Sequence, residues 1–131
     1  MRRLIFVLAA SAACASAGPP PGGPDDHSPP QIIAVTPDSG QINVKPKDVQ
    51  FRFDEVVSDR PAGAASLDRM FLISPRNGEP RVGWHRSRIS VRPERGFRDN
   101  TAYRITMLPG IADLRGNVRT DGATLVFSTG P

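Results

Sequence analysis

The segment DVQFRFD, residues 48–54, decides the fold class, because its large apolar side chains occupy every second position. Val49, Phe51 and Phe53 alternate with polar residues, so an extended chain places all three on one face. Two later segments have the same alternation: RISVR (88–92) and AYRITM (102–107). The sequence therefore predicts β-strands with one side on a core and the other in water.

Further strands and turns complete this prediction. Four other segments have the composition of strands: QIIAVT (31–36), MFLIS (70–74), PRVGWH (80–85) and ATLVFS (123–128). Turn-forming residues such as Pro37-Asp38-Ser39-Gly40 and Asp121-Gly122 separate the segments. No window has a sustained helical period, and at most a short helical turn fits near 64–69. About seven short strands predict an all-β fold, an Ig-like antiparallel β-sandwich over residues 31–131. Its predicted core comprises Phe51, Phe53, Ile89, Val91, Tyr103, Ile105, Leu125 and Phe127.

The first residues have the features of an export signal. MRRLIFVLAASAAC begins with two arginines and continues with a short uncharged stretch that ends in small residues. A transmembrane helix needs about 20 apolar residues, so this stretch is too short to span a bilayer. A charged start, an apolar middle and a small-residue exit are typical of a secretory signal peptide. The sequence predicts an exported protein.

Two positions for signal cleavage remain open. Ser11-Ala12-Ala13 before Cys14 is similar to the lipobox of bacterial lipoproteins, in which the cysteine is lipidated and becomes the new N-terminus. This interpretation makes residues 1–13 the signal peptide and Cys14 the lipid attachment site. Ala15 beside that cysteine is similar to the outer-membrane sorting signal of such proteins. The alternative is cleavage after Ala17, which would discard Cys14 and release a periplasmic or secreted protein.

Residues 14–30 form a predicted tether. From position 15 to position 30 the chain has six prolines and three glycines, and it has no aromatic residue. Such a composition cannot bury enough apolar surface to offset the entropy of ordering, so a disordered Pro/Gly linker is expected. A linker here would hold a folded domain away from a membrane surface.

The distribution of charge argues against nucleic-acid binding, and the lack of a recognisable catalytic motif argues against an enzyme. The net charge is +4, and the arginines are scattered along the sequence rather than gathered in one segment with aromatic residues. No nucleic-acid partner is therefore predicted. His27 lies in the tether and His85 at a strand end, and no nucleophile elbow is present. The sequence predicts a non-enzymatic protein without a cofactor.

Several stretches together resemble a known family. PPQIIAVTPDSGQINV, FRFDEVV, FLISP, TAYRITMLPGIADLRGN and VFSTG occur in the order found in the bacterial Ig-like domain of the SbsA surface-layer type. The resemblance covers residues 29–130 and implies an Ig-like sandwich that serves as a spacer or adhesive module at the cell surface. The preceding Pro/Gly segment is similar to the linker of surface lipoproteins. Tyr103 resembles the tyrosine corner of Ig sandwiches. The family implies no catalytic residues.

Two kinds of binding residue can be named from the sequence. Asp54, Glu55, Asp113 and Asn117 carry the hard oxygen ligands that calcium prefers, and loops at one end of a sandwich could bring them together. The alternative for these residues is turn capping, with Asp113 accepting from turn amides. Trp84, the only tryptophan, could stack on a glycan ring, or it could pack half-buried over the edge of the core. The envelope protein or glycan that would be the partner is not defined by the sequence.

Overall fold

Seven antiparallel strands make up the part of the protein that the structure describes, as predicted. The computed structural model describes residues 26–131, and Cys14, both cleavage positions and most of the predicted tether lie outside this range. The strands are β1 (Ile32–Thr36), β2 (Val49–Phe53), β3 (Phe71–Ser74), β4 (Pro80–His85), β5 (Arg88–Pro93), β6 (Ala102–Met107) and β7 (Ala123–Ser128). The helical turn expected near 64–69 is a single 3-10 turn at Leu67–Met70. Within the described part of the chain, no helix is long and apolar enough to cross a membrane.

The strands form two sheets with the strand order of constant-type Ig domains. One sheet has the order β1-β2-β5-β4 and the other has the order β3-β6-β7. All the strand pairs are antiparallel. In constant-type domains, strands A, B, E and D form one sheet, and strands C, F and G form the other. The predicted Ig-like β-sandwich is confirmed.

The core lies between the two sheets, where alternate side chains from both meet. All eight side chains predicted for the core are buried, because the period of two holds through β2, β5, β6 and β7. Phe51 of β2 and Phe71 of β3 contact across the sandwich with ring centroids 5.6 Å apart. Loops and the 3-10 turn add further buried residues that the alternation does not identify: Val57, Met70 and Ile111.

Tyr103 makes the hydrogen bond that defines a tyrosine corner. Its ring is buried at the start of β6 and stacks on Phe127, with ring centroids 5.7 Å apart. The phenol oxygen accepts a hydrogen bond from the backbone N–H of Arg98, five residues upstream, at 2.7 Å. This bond ties the connection between β5 and β6 to the end of the sandwich, as in Ig domains.

Removal of this hydroxyl should destabilise the protein without changing its fold. In Tyr103→Phe, the Arg98 N–H loses its acceptor, so we expect the free energy of unfolding to fall by about 1–2 kcal/mol. Urea unfolding followed by circular dichroism measures the change. Phe97→Leu, which alters a neighbouring ring but leaves the Arg98 bond intact, should leave the amide of Arg98 protected from hydrogen exchange. Equal loss of that protection in both variants would contradict the assignment of the bond.

Candidate functional site

Three carboxyl groups meet at one end of the sandwich. Asp26 precedes β1, Glu55 follows β2, and Asp113 lies in the connection between β6 and β7. One carboxylate oxygen from each residue lies within 4.8 Å of the others. We call Asp26, Glu55 and Asp113 the carboxyl cluster. Three acidic side chains at this distance repel one another unless a proton or a cation lies between them.

Backbone hydrogen bonds bring these distant segments together. The N–H of Asp54 donates to the carbonyl of Gln31 at 2.9 Å, which places the end of β2 beside the start of β1. Val57 forms an isolated antiparallel bridge with Asp113. The side-chain amide of Asn117 donates to the carbonyl of Asp26 at 2.9 Å. The cluster is therefore held by the fold and is not a chance approach of mobile side chains.

Asp113 is the fixed anion of the cluster. It is only 5% exposed, and its Oδ1 accepts from the backbone N–H groups of Arg115 and Asn117, both at 2.8 Å. Its Oδ2 accepts from the side-chain amide of Asn117 at 2.8 Å. Burial opposes ionisation of this carboxyl, but the hydrogen bonds from Asn117, Glu55 and Arg115 outweigh it and lower the pKa of Asp113 to about 2. Asp113 thus closes its turn as a carboxylate.

Glu55 has the opposite electrostatic environment. Burial, reinforced by the side chains of Asp113 and Asp26, raises the pKa of Glu55 to about 7. Its Oε1 atom is buried and has no hydrogen-bond partner. At neutral pH this carboxyl is therefore close to half protonated, and its proton can be donated to the carboxylate of Asp113. Near this pH, one proton partly relieves the repulsion within the cluster.

These two pKa values predict an unusual dependence of stability on pH. The unfolded chain ionises Glu55 near its ordinary pKa of 4.5, whereas the folded chain keeps the proton up to about 7, so stability falls as pH rises through this window. The lowered pKa of Asp113 contributes stability that is present above 3.8 and is lost as pH falls towards about 2. For these two groups, stability is greatest at about pH 4.

Glu55→Gln should remove the loss of stability that occurs as the pH rises through neutrality. We expect the free energy of unfolding of the wild type to be lower at about pH 8 than at about pH 5 by roughly 1–2 kcal/mol, and that of the variant to change much less. Urea unfolding at the two pH values measures both differences. Asp54→Asn, one residue away and outside the cluster, is the matched control and should retain the decline. A decline of the same size in Glu55→Gln would contradict the account.

The sequence identified part of this cluster. Of the four residues named as oxygen ligands, Glu55, Asp113 and Asn117 do meet. Asp54 does not join the cluster, since its Oδ1 instead accepts from the backbone N–H of Gln31 at 2.9 Å. Asp26 was missed because it lies in the segment assigned to the tether. Its position in the cluster depends on a contact with Asn117, which lies 91 residues further along the chain.

Trp84 lies on the edge strand β4 and is not a member of the carboxyl cluster. It is 41% exposed and is paired across the strands with the fully buried Ile89, so its side chain covers the edge of the core. Its indole N–H donates to the carbonyl of Val57 at 2.9 Å. The ring is thus half-buried and fixed in orientation, which is the structural alternative considered for this residue.

The strand order, the two-sheet core and the tyrosine corner together define a constant-type Ig-like domain. Comparison of the sequence with protein families gives a match over residues 26–129 to the bacterial Ig-like domain. The chain belongs to this family.

Among solved structures, the fold is similar to that of an L,D-transpeptidase from Mycobacterium smegmatis. The two share 20% sequence identity with a TM-score of 0.52, and the match covers 79% of this chain and 41% of the transpeptidase. The chain therefore spans about two fifths of that protein, and the likeness is one of fold. No curated protein matches the sequence.

Proposed function

We propose that this protein is an exported, lipid-anchored Ig-like module that serves as a spacer or interaction domain of the cell envelope. The observation that carries the proposal is the order of segments in the chain. A signal-like leader is followed by Cys14, by a Pro/Gly-rich segment and then by one Ig-like sandwich. Diacylglycerol on Cys14 would anchor the chain, since each methylene buried in the bilayer contributes about 0.8 kcal/mol. Ala15, next to this cysteine, favours placement in the outer membrane or at the cell surface.

The attachment of the folded domain supports a spacer role. Two backbone carbonyls of the segment that precedes β1 accept hydrogen bonds from side chains of the folded domain. Asn117 donates to the carbonyl of Asp26, and Nη1 of Arg119 donates to that of Pro30, both at 2.9 Å. Because these contacts fix where the chain joins the sandwich, a pull on the N-terminal segment acts at a defined end of the domain. Tension would then enter the sandwich at this fixed point rather than along an unattached segment.

Membrane fractionation tests the anchor. We expect the wild-type protein to sediment with membranes, to resist extraction by high salt and to be released by detergent. Cys14→Ala should move the protein to the soluble fraction, because the thiol that accepts the lipid is absent. Ser16→Ala, a change two residues away that preserves the thiol, is the control and should stay in the membrane fraction. A wild-type protein found wholly in the soluble fraction would contradict the proposal and favour cleavage after Ala17.

A second candidate function is the binding of a divalent cation at the carboxyl cluster. The observation that favours it is Oε1 of Glu55, which is buried beside two further carboxyl groups and has no hydrogen-bond partner. Calcium is held by several oxygen ligands, often carboxylates, with the remaining positions taken by carbonyls and water. Asp26, Glu55 and Asp113 would be the carboxylate ligands, and Asn117 would hold Asp113 in place through its side-chain amide.

Thermal unfolding with and without calcium tests this candidate. Extracellular calcium modules have dissociation constants of about 0.1–1 mM, so about 10 mM calcium should stabilise the folded protein by roughly 1–3 kcal/mol. This corresponds to a rise in Tm of several degrees. Glu55→Gln should abolish the rise, whereas Glu79→Gln, an exposed carboxyl change outside the cluster, should preserve it. No calcium-dependent rise in the wild type, or an equal rise in Glu55→Gln, would reject the site.

A further inference from the structure

The outward face of the four-stranded sheet gathers arginines that are far apart in the sequence. Arg52 of β2, Arg88 and Arg92 of β5, and Arg81 of β4 occupy the positions that alternate with the buried core residues. We call these four residues the basic face. On β3, β6 and β7, the outward positions carry a single arginine, Arg104. Positive charge is thus concentrated on one side of the sandwich.

The strand register places like charges directly opposite one another on this face. Arg52 is paired with Arg88, and Arg92 is paired with Arg81. Like charges at directly opposed positions destabilise a sheet. Of these four arginines, Arg81 alone makes an ion pair within the described structure, with Glu94 at 2.9 Å. The basic face therefore costs the fold stability, and that cost is offset if an anion binds there.

A recess lies within the basic face. Gly83 of β4 is paired with Ser90 of β5, and both line a hollow together with Asp48, Arg81, His85 and Arg92. A Cβ atom on Gly83 would come within 2.6 Å of Oγ of Ser90 and 3.0 Å of Nε2 of His85, so a larger residue would displace these two side chains. Oγ of Ser90 and Nε2 of His85 lie 3.2 Å apart at this position. The recess offers a hydroxyl, an imidazole and two guanidinium groups, of which that of Arg81 is paired with Glu94, and the carboxylate of Asp48 also lines it.

We propose that the basic face binds an acidic polysaccharide, with one sugar carboxylate in the recess at Gly83. Arginine suits carboxylates because its guanidinium forms paired hydrogen bonds with their two oxygens. The serine hydroxyl and the imidazole can hydrogen-bond the hydroxyl groups of the same sugar. Neighbouring acidic sugars along the chain would neutralise Arg52 and Arg88. This proposal goes beyond the anchoring role and does not depend on it.

Two other polyanions fit the basic face less well. The outward positions of β2, β5 and β4 carry no large apolar side chain that could insert into a bilayer, and the exposed Ile33 lies on the far edge strand, β1. Those positions also carry no phenylalanine, tyrosine or tryptophan ring for stacking of nucleic-acid bases.

Titration of the full chain with an oligogalacturonate tests the proposal. We expect calorimetric binding that weakens as salt is added, because exposed charges are screened over about 10 Å at 0.1 M ionic strength. A neutral dextran of similar length should not bind. Arg88→Gln combined with Arg92→Gln should weaken binding about tenfold or more. Arg104→Gln, which removes one arginine from the opposite sheet, is the matched control and should leave the affinity unchanged.

Variants of the recess distinguish a built site from general attraction between charges. Gly83→Ala and Ser90→Ala leave the net charge unchanged, so each should weaken binding severalfold only if a sugar occupies the recess. Urea unfolding checks that each variant is folded, and Ser90→Ala retains a test if Gly83→Ala does not fold. The proposal is overturned if the charge variants have no effect or if Ser90→Ala binds like the wild type. Equal affinity for duplex DNA or for phosphatidylglycerol vesicles would also overturn it.

Discussion

Phe51→Ala should lower the free energy of unfolding by about 3–5 kcal/mol, the largest effect of any substitution considered for this protein. Phe51 is 1% exposed, lies on the central strand β2, and contacts Phe71 of the opposite sheet. Truncation to alanine removes the ring that joins the two sheets and leaves a cavity that strands hydrogen-bonded on both sides cannot collapse to fill. Urea unfolding followed by tryptophan fluorescence of Trp84 measures the loss.

Leu72→Ala is the matched control for this prediction. Leu72 is also a large apolar residue on a strand, but it is 55% exposed and points outward from β3. Because its neighbours are mainly water, we expect a change within about 0.5 kcal/mol. Equal destabilisation by the two substitutions would mean that the strands do not present alternate faces to core and solvent. That result would reject the sandwich itself.

Asp113→Ala should be the second most damaging change, with an expected loss of about 2–4 kcal/mol at neutral pH. Three N–H groups lose their charged acceptor: the backbone amides of Arg115 and Asn117 and the side-chain amide of Asn117. The turn that returns the chain to β7 would lose its closure. Relief of repulsion with Glu55 offsets part of the cost, which keeps the expected loss below the sum of three charged hydrogen bonds.

Asp54→Ala provides the comparison for Asp113→Ala. Asp54 also accepts a backbone hydrogen bond, from Gln31, but that bond is exposed and single. We expect a loss of about 1 kcal/mol or less, measured by urea unfolding in the same buffer. If Asp113→Ala were no more destabilising than Asp54→Ala, the three hydrogen bonds would not be closing the turn. Hydrogen exchange at the amide of Asn117 would locate the loss directly.

The fold could be predicted because its signal is local. Each strand carries its own alternation, and in VQFRF of β2 the inward and outward residues are distinguished within five positions. The pairing of strands could not be predicted in the same way, because register is set by contacts between segments far apart in the chain. The basic face illustrates this limit. Arg52 and Arg88 look scattered in the sequence, and only the pairing of β2 with β5 places them opposite each other.

The carboxyl cluster was predictable in part for a related reason. Glu55 and Asp113 follow recognisable strands and turns, so loops at one end of a sandwich were a reasonable place to look for them. Asp26 lies among prolines and glycines, a composition that predicts no fixed position. Its contact with Asn117 depends on the folded surface that Asn117 helps to form. A residue at the border of a linker is fixed in position only when the folded domain provides a hydrogen-bond partner for it.

Identification of the mature N-terminus tests most directly whether this protein is an anchored Ig-like module. Mass spectrometry of the protein purified from the membranes of its own host should find a chain that begins at Cys14 and carries diacylglycerol on the thiol. The same preparation of Cys14→Ala should lack the lipid mass. An unmodified chain that begins at Gly18 would contradict the account, because the domain would then have no lipid to hold it at a membrane.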